Sequence, residues 1–182
     1  MTESKFRIDK VDRNIIDLLQ KAPTLTHMEI AEKIDRSQPT VGMRIHKLEE
    51  KGLLEIQRGV NFKKVNLFLA SVTLRTKDPD DIFEMAKVCP FIINCFKLSG
   101  ENNIFLLLSA SDLSKLDNMV NYHFRNNKNI TNIKMEIVVD IAKDLILPVD
   151  FRSEDQNPTK EEGCGEDCVR LIEKAKTQME KV

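Results

Sequence analysis

Thr26-His-Met-Glu-Ile-Ala-Glu-Lys-Ile-Asp-Arg-Ser-Gln-Pro-Thr-Val-Gly-Met-Arg-Ile-His-Lys-Leu-Glu-Glu-Lys-Gly52 is the stretch that decides the fold of the N-terminal third. Thr26 and Glu29 have the spacing of a capping box, in which hydroxyl and carboxylate satisfy each other's backbone N–H. They predict a helix through Ile30, Ala31 and Ile34. Asp35-Arg36 reads as a tight corner. Ser37 then stands where a cap belongs for a third helix, Gln38 to Lys51, with Pro39 in the first turn, where a missing N–H costs nothing. Val41, Ile45 and Leu48 share its apolar face, and Gly52 is placed as a helix-ending glycine. Upstream, Lys10 to Gln20 sets Val11, Ile15, Leu18 and Leu19 on one stripe, and Pro23 ends that helix. Leu53 to Asn66 reads as extended chain leaving the domain.

Three short helices with a corner between the second and third have the form of a helix-turn-helix, whose third helix enters the major groove of duplex DNA. Gln38, Thr40, Met43, Arg44 and Lys47 fall on the exposed side of that helix. Glutamine can bond adenine through two hydrogen bonds, arginine can read guanine, and threonine can touch a thymine methyl. His46 and Lys47 further along, and Arg36 and Ser37 at the helix start, suit phosphate contacts. A plain three-helix bundle with solvated charges has the same apolar pattern.

The chain of 182 residues is long enough for one ordinary domain or two small ones, and its net charge is −1. That total hides a gradient. Residues 1–66 hold 13 Lys/Arg against 10 Asp/Glu, residues 67–151 hold 9 against 11, and residues 152–182 hold 6 against 8. The basic third is therefore the one with the helix-turn-helix pattern. No apolar run approaches the ~20 residues needed to span a bilayer. Met1 to Lys10 has no signal-peptide core. The expectation is a soluble, cytoplasmic protein with no membrane partner. The sequence shows no nucleophile elbow, phosphate loop or paired-carboxylate site.

From Ser71 the period changes. Strands are expected at Ser71–Arg75, Phe91–Leu98, Ile104–Ala110 and Thr131–Ile141, with helices from Pro79 to Val88, opened by Asp78, and from Asp112 to about Arg125. The order β-α-β-β-α-β is ferredoxin-like and leaves one sheet face for a partner, most simply a second copy. The fold class is thus α+β. A winged-type helix-turn-helix domain takes residues 1–54 and an extended linker 55–66. A ferredoxin-like domain suited to dimerisation takes 67–151, and a polar linker with a short charged helix takes 152–182.

Ile8-Asp-Lys-Val-Asp-Arg-Asn-Ile-Ile-Asp-Leu-Leu-Gln20 resembles the opening of the Lrp/AsnC family of bacterial and archaeal regulators. Ser37 to Leu54 is similar to that family's recognition helix and exit. Cys95-Phe-Lys-Leu-Ser-Gly-Glu101 is similar to the segment closing its second effector-domain strand. The resemblance covers about residues 8 to 151. It implies a homodimer assembling further into tetramers or octamers, paired helix-turn-helix units on palindromic double-stranded DNA, and a small-molecule effector, usually an amino acid, at the loop after that strand. Binding of the effector, or of metal at the C-terminal thiol pair Cys164 and Cys168, would alter dimer–dimer geometry and so the spacing of the recognition helices. The loop residues here are Ser99, Gly100, Glu101, Asn102 and Asn103. The family's loop reads Gly-Asp-x-Asp and then an aromatic, so Asn103 replaces the second acid and Ile104 the aromatic. Gly100 is expected to supply unusual backbone angles.

Four cysteines fall in two close pairs, Cys89 with Cys95 and Cys164 with Cys168. The first pair reads as core thiols. The second, four residues apart and beyond the resemblance, could bind one soft metal such as zinc or copper, act as a redox switch, or do neither. Histidines 27, 46 and 123 show no ligand spacing. An enzyme reading also stays open, because decarboxylases of haem precursors resemble the family in both domains.

Overall fold

The computed structural model describes residues 7–161 and Cys164. The chain divides into two compact units, Met1–Gln57 and Arg58–Val182.

The first unit holds α1 (Lys10–Lys21), α2 (His27–Ile34) and α3 (Gln38–Glu50), and no strand among the described residues. Asp9 caps α1: its Oδ1 accepts from the N–H of Val11 at 2.8 Å and of Asp12 at 2.9 Å, while Asp12 Oδ2 accepts from the Asp9 N–H at 3.1 Å. The predicted box on α2 is present, with Glu29 Oε2 accepting from the Thr26 N–H at 2.7 Å and Thr26 Oγ1 from the Glu29 N–H at 3.3 Å. The corner is Asp35, in the left-handed region at φ 54°. Ser37 occupies the cap position of α3 but makes no cap bond, because its hydroxyl pairs with Thr40 Oγ1 at 2.7 Å instead.

α3 ends as its glycine predicts. Gly52 has φ 59°, and the N–H groups of Leu53 and Gly52 return to the carbonyls of Leu48 and Glu49, the Schellman pattern. Ile15, Ile30, Ala31, Val41 and Ile45 form the unit's core, flanked by Val11, Leu18, Leu19, Leu25, Ile34 and Leu54. Each fully buried aliphatic side chain there contributes about 1.5–3 kcal/mol.

The second unit carries the expected βαββαβ order: β2 (Phe68–Thr76), α4 (Pro79–Val88), β3 (Ile92–Lys97), β4 (Ile104–Ala110), α5 (Leu113–Val120) and β5 (Ile130–Ile137). The antiparallel sheet runs β3-β4-β2-β5. Alternation sends Ala70, Val72 and Leu74 of β2, with Leu106 and Leu108 of β4, into one core with Phe91, Leu116, Met119 and Phe124. Asp112 caps α5 through the Ser114 N–H at 2.6 Å. Asp78 opens α4 without a cap bond; its carboxylate instead accepts from the Asn129 amide at 3.1 Å. α5 runs on into a π-helical turn, Asn121–Arg125. On the opposite sheet face Phe96 and Phe105 meet with ring centroids 5.7 Å apart, and Phe96 stays 45% exposed.

Two expectations about linkers are corrected. Residues 55–66 are not simply extended chain: β1 (Val60–Asn61) pairs antiparallel with β6 (Ile146–Leu147), and Phe62 is buried. A Cβ on Gly59 would lie 2.6 Å from the Leu147 carbonyl oxygen, so only glycine fits that crossing. Nor is the start of the polar tail a free linker. α6 (Arg152–Asp155) is a single turn, and Ser153 and Pro158 are buried. Lys115 Nζ donates to the Glu154 carbonyl at 2.8 Å and Asn118 Nδ2 to the Pro158 carbonyl at 2.8 Å. Ser111 and Glu154 share a further hydrogen bond. Hydrogen bonds to peptide carbonyls, with Pro158 as the buried apolar side chain, dock this segment, so its polar composition gave little sign of it. The charged C-terminal helix expected after Cys164 lies outside the described residues.

Candidate nucleic-acid interface, effector loop and tail cysteine

Val41, Ile45 and Leu48 turn inward on α3, which puts Gln38, Met43, His46 and Lys47 on its exposed side. Met43 is 66% exposed, an apolar side chain with nothing in its own unit to cover it. His46 Nε2 lies 3.5 Å from Glu50 Oε1 one turn on. Thr40 is half-buried beside the Ser37 hydroxyl. Arg36 is exposed at the corner, its Nη1 donating to the Asp35 carbonyl at 2.6 Å. The expected contact residues therefore share one surface at and beyond the α3 N-terminus, where unpaired backbone N–H groups favour anions.

Arg44, expected at base edges, is engaged within its own unit. Its Nη1 donates to Asp9 Oδ2 at 2.6 Å and to Asp12 Oδ1 at 2.8 Å, tying α3 to the capping box of α1. Asp12 is 4% exposed, so its carboxylate needs this counter-charge. The carboxyl of Asp9 is held below its usual range, first by the Asp12 backbone N–H and then by the Arg44 guanidinium. Arg44 is raised in turn, chiefly by Asp12. So engaged, the guanidinium holds α3 against the cap of α1. Arg7, Met43 and Lys47 line a cleft of about 260 Å³ above this cluster. The sequence signal was there in Asp9-x-x-Asp12, two acids in a first turn, but nothing in it pointed 32 residues ahead.

The loop between β3 and β4 is closed by the Leu98 N–H donating to the Asn103 carbonyl at 2.8 Å. Asn103 also clamps the end of β2: Oδ1 accepts from the Thr76 N–H at 2.9 Å, and Nδ2 donates to the Thr76 carbonyl at 2.8 Å. An aspartate could accept but not donate there, which gives the amide a structural reason. Asn102 Oδ1 accepts from Asn132 Nδ2 at 2.6 Å, and Ser99, Gly100 and Glu101 are exposed. Gly100 corrects its expectation. Gly52 is the positive-φ glycine among the described residues, and a Cβ on Gly100 would meet only the Asn102 carbonyl oxygen at 3.8 Å.

Cys89 is buried in the effector-domain core and Cys95 packs against it, as expected. Burial pushes the Cys95 thiol up to about 11, with Lys97 pulling it back, so that thiol stays protonated. Cys164 packs against the same core with Sγ 3.7 Å from His123 Nε2. Cys168 lies outside the described residues. Among the described residues, no three His, Cys, Asp or Glu side chains converge as a metal site. Sequence spacing missed His123 because its neighbour arrives from 41 positions along the chain.

Residues 8–55 match the winged helix-turn-helix DNA-binding family, and residues 67–146 match the Lrp/AsnC ligand binding domain. The HTH-type transcriptional regulator LrpA of Pyrococcus horikoshii is 28% identical over 140 residues, 75% of this chain and 99% of that relative. The solved structure of E. coli AsnC shares the fold at TM-score 0.65 and 17% identity, covering 76% of this chain and 96% of that one. A transcriptional regulator from Neisseria meningitidis, solved with L-methionine, matches at TM-score 0.66 and 23% identity, covering 78% and 97%. Relatives matching both units bear regulator names, and the enzyme reading gives way. No helix among the described residues is long and apolar enough to cross a membrane. With both domains matched in order along one chain, this protein belongs to the Lrp/AsnC family of transcriptional regulators.

Proposed function

We propose that this regulator reads duplex DNA with the exposed side of α3. Gln38, Thr40 and Met43 face base edges, while Arg36, Ser37, His46 and Lys47 contact phosphates. Arg44 is a positioning residue that fixes α3 against α1. The observation that carries this reading is the exposed surface of α3 held over a fully engaged Arg44–Asp9–Asp12 cluster.

The effector domain pairs with a second copy through the sheet face bearing Phe96 and Phe105, and further pairing builds a tetramer or octamer in the cytoplasm. The loop of residues 98–103 receives a small effector, with Glu101 as its exposed acid. The L-methionine of the Neisseria regulator supports an amino acid as that effector. The clamped Asn103 lacks the charge that would hold an ammonium group, so Glu101 carries that contact alone.

Genomic footprinting with the purified protein tests this reading. Salt-dependent protection of palindromic sites, shifted by an amino acid, is the expected result. Absence of duplex binding at any salt concentration contradicts it.

A further inference from the structure

We infer that the cavity lined by the start of β3 and by the chain following β6 binds a small uncharged molecule, apolar in body and carrying one hydroxyl or carbonyl. Pro90, Ile92, Ile93, Pro148, Val149 and Phe151 surround about 390 Å³ there. Small-molecule pockets span about 300–1,000 Å³ and are largely apolar, with a few placed polar groups. The polar group here is Ser109. Its neighbours Leu108 and Ala110 turn into the core, so alternation along β4 puts Ser109 on the opposite sheet face, with Phe105 and Leu107. Ser109 is nevertheless only 3% exposed. Its N–H donates to the Phe91 carbonyl at 2.9 Å, but its hydroxyl, at the cavity wall, meets no donor or acceptor among the described residues. A buried hydroxyl left unpaired is destabilising, and folded chains keep few of them. A hydroxyl or carbonyl on a bound molecule would satisfy this one.

Charge decides the class of ligand. Asp150 is the ionisable side chain among those lining the cavity, and Arg152 engages it through Nε at 2.9 Å and its own N–H at 3.0 Å. The pair is neutral, so a buried ammonium or carboxylate would find no free counter-charge, which disfavours both. Serine donates or accepts, so a hydroxyl or a carbonyl serves equally. Phe151 is 55% exposed and offers an aromatic surface that a ligand would cover. The cavity is separate from the loop of residues 98–103. That loop follows the end of β3 where Lys97 pairs with Ile104, whereas Ser109 lies towards the other end, beside Phe91. A ligand here thus needs nothing of the effector proposed for that loop.

The test is methyl NMR on the full chain, titrated with benzyl alcohol and with ethylbenzene, which carries a methyl in place of the hydroxyl. Benzyl alcohol should shift the methyl signals of Ile92, Ile93 and Val149. Ser109→Ala should weaken benzyl alcohol about tenfold while ethylbenzene binds at least as tightly as before. The same variant should raise the urea midpoint of the free protein, since it removes the unpaired hydroxyl. Phe151→Ala should weaken both compounds. Benzyl alcohol held equally by Ser109→Ala and wild type overturns the site. A lowered urea midpoint in Ser109→Ala also overturns it, by showing that the hydroxyl has a partner within the fold. So do methyl shifts that follow protein concentration and neither compound, since a second copy then fills the cavity.

Discussion

Arg44 donates to Asp12 at 2.8 Å across the gap between α3 and α1, and Asp12 is the one charged side chain buried among the described residues. The pair joins α3 to the capping box of α1. Removing the guanidinium leaves a buried carboxylate unsatisfied, at a cost of about 1–3 kcal/mol. Urea denaturation of Arg44→Ala should show this loss. Replacing both partners, as Arg44→Met with Asp12→Leu, should recover much of it, because the loss comes from the orphaned charge. Additive losses in the double variant would contradict the pairing.

Stability should fall in acid from the carboxylates that cap the first two helices. Asp9 is held below its ordinary value of 3.8, first by the Asp12 N–H, and Glu29 below its ordinary 4.5, first by the Thr26 N–H. A lowered folded pKa gives stability that is present above the ordinary value and disappears as pH falls through the folded one. Urea midpoints should therefore hold level down to about pH 5 and drop below about pH 4. Asp9→Asn should make the drop shallower. An unchanged profile in that variant would count against the assignment.

The clamp on Thr76 needs an amide. Asn103→Asp turns the donor facing the Thr76 carbonyl into a second acceptor, at about 1–3 kcal/mol. Hydrogen exchange at the Thr76 amide, now bonded to Asn103 Oδ1, should quicken in that variant if the loop loosens. Exchange as slow as in wild type would show that the loop holds without the clamp.

Limited trypsin digestion should find Arg152 and Lys160 poorly cut while the tail is docked. Lys115→Ala and Asn118→Ala together remove the side chains that hold the Glu154 and Pro158 carbonyls. Cleavage at those sites should speed up while the rest of the second unit stays intact. Equal rates in wild type and variant would mean that these hydrogen bonds do not hold the segment.

Most of the architecture was legible because its signals are local. The Thr26–Glu29 box, the Gly52 terminator and the alternation along β2 and β4 each lie within a few residues. β2 ran past its expected start because Phe68 and Leu69 extend its ladder with β4. What stayed hidden depends on distant partners. The β1–β6 pairing is only two residues long, too short to have a period. Arg44 reads as an exposed cation on α3 because nothing near it in sequence places Asp12 beneath it. The docked tail is held largely through its backbone carbonyls, which no side-chain pattern reports.

The central claim is that the exposed side of α3 reads the operator, and Gln38→Ala tests it most directly. Once footprinting has identified a site, the variant and wild type can be titrated on that duplex and on an unrelated one at matched salt. Gln38→Ala should lose about 1–3 kcal/mol on the operator and almost nothing on the unrelated duplex, with the salt slope unchanged. Full operator affinity in Gln38→Ala, or an equal loss on both duplexes, would contradict it.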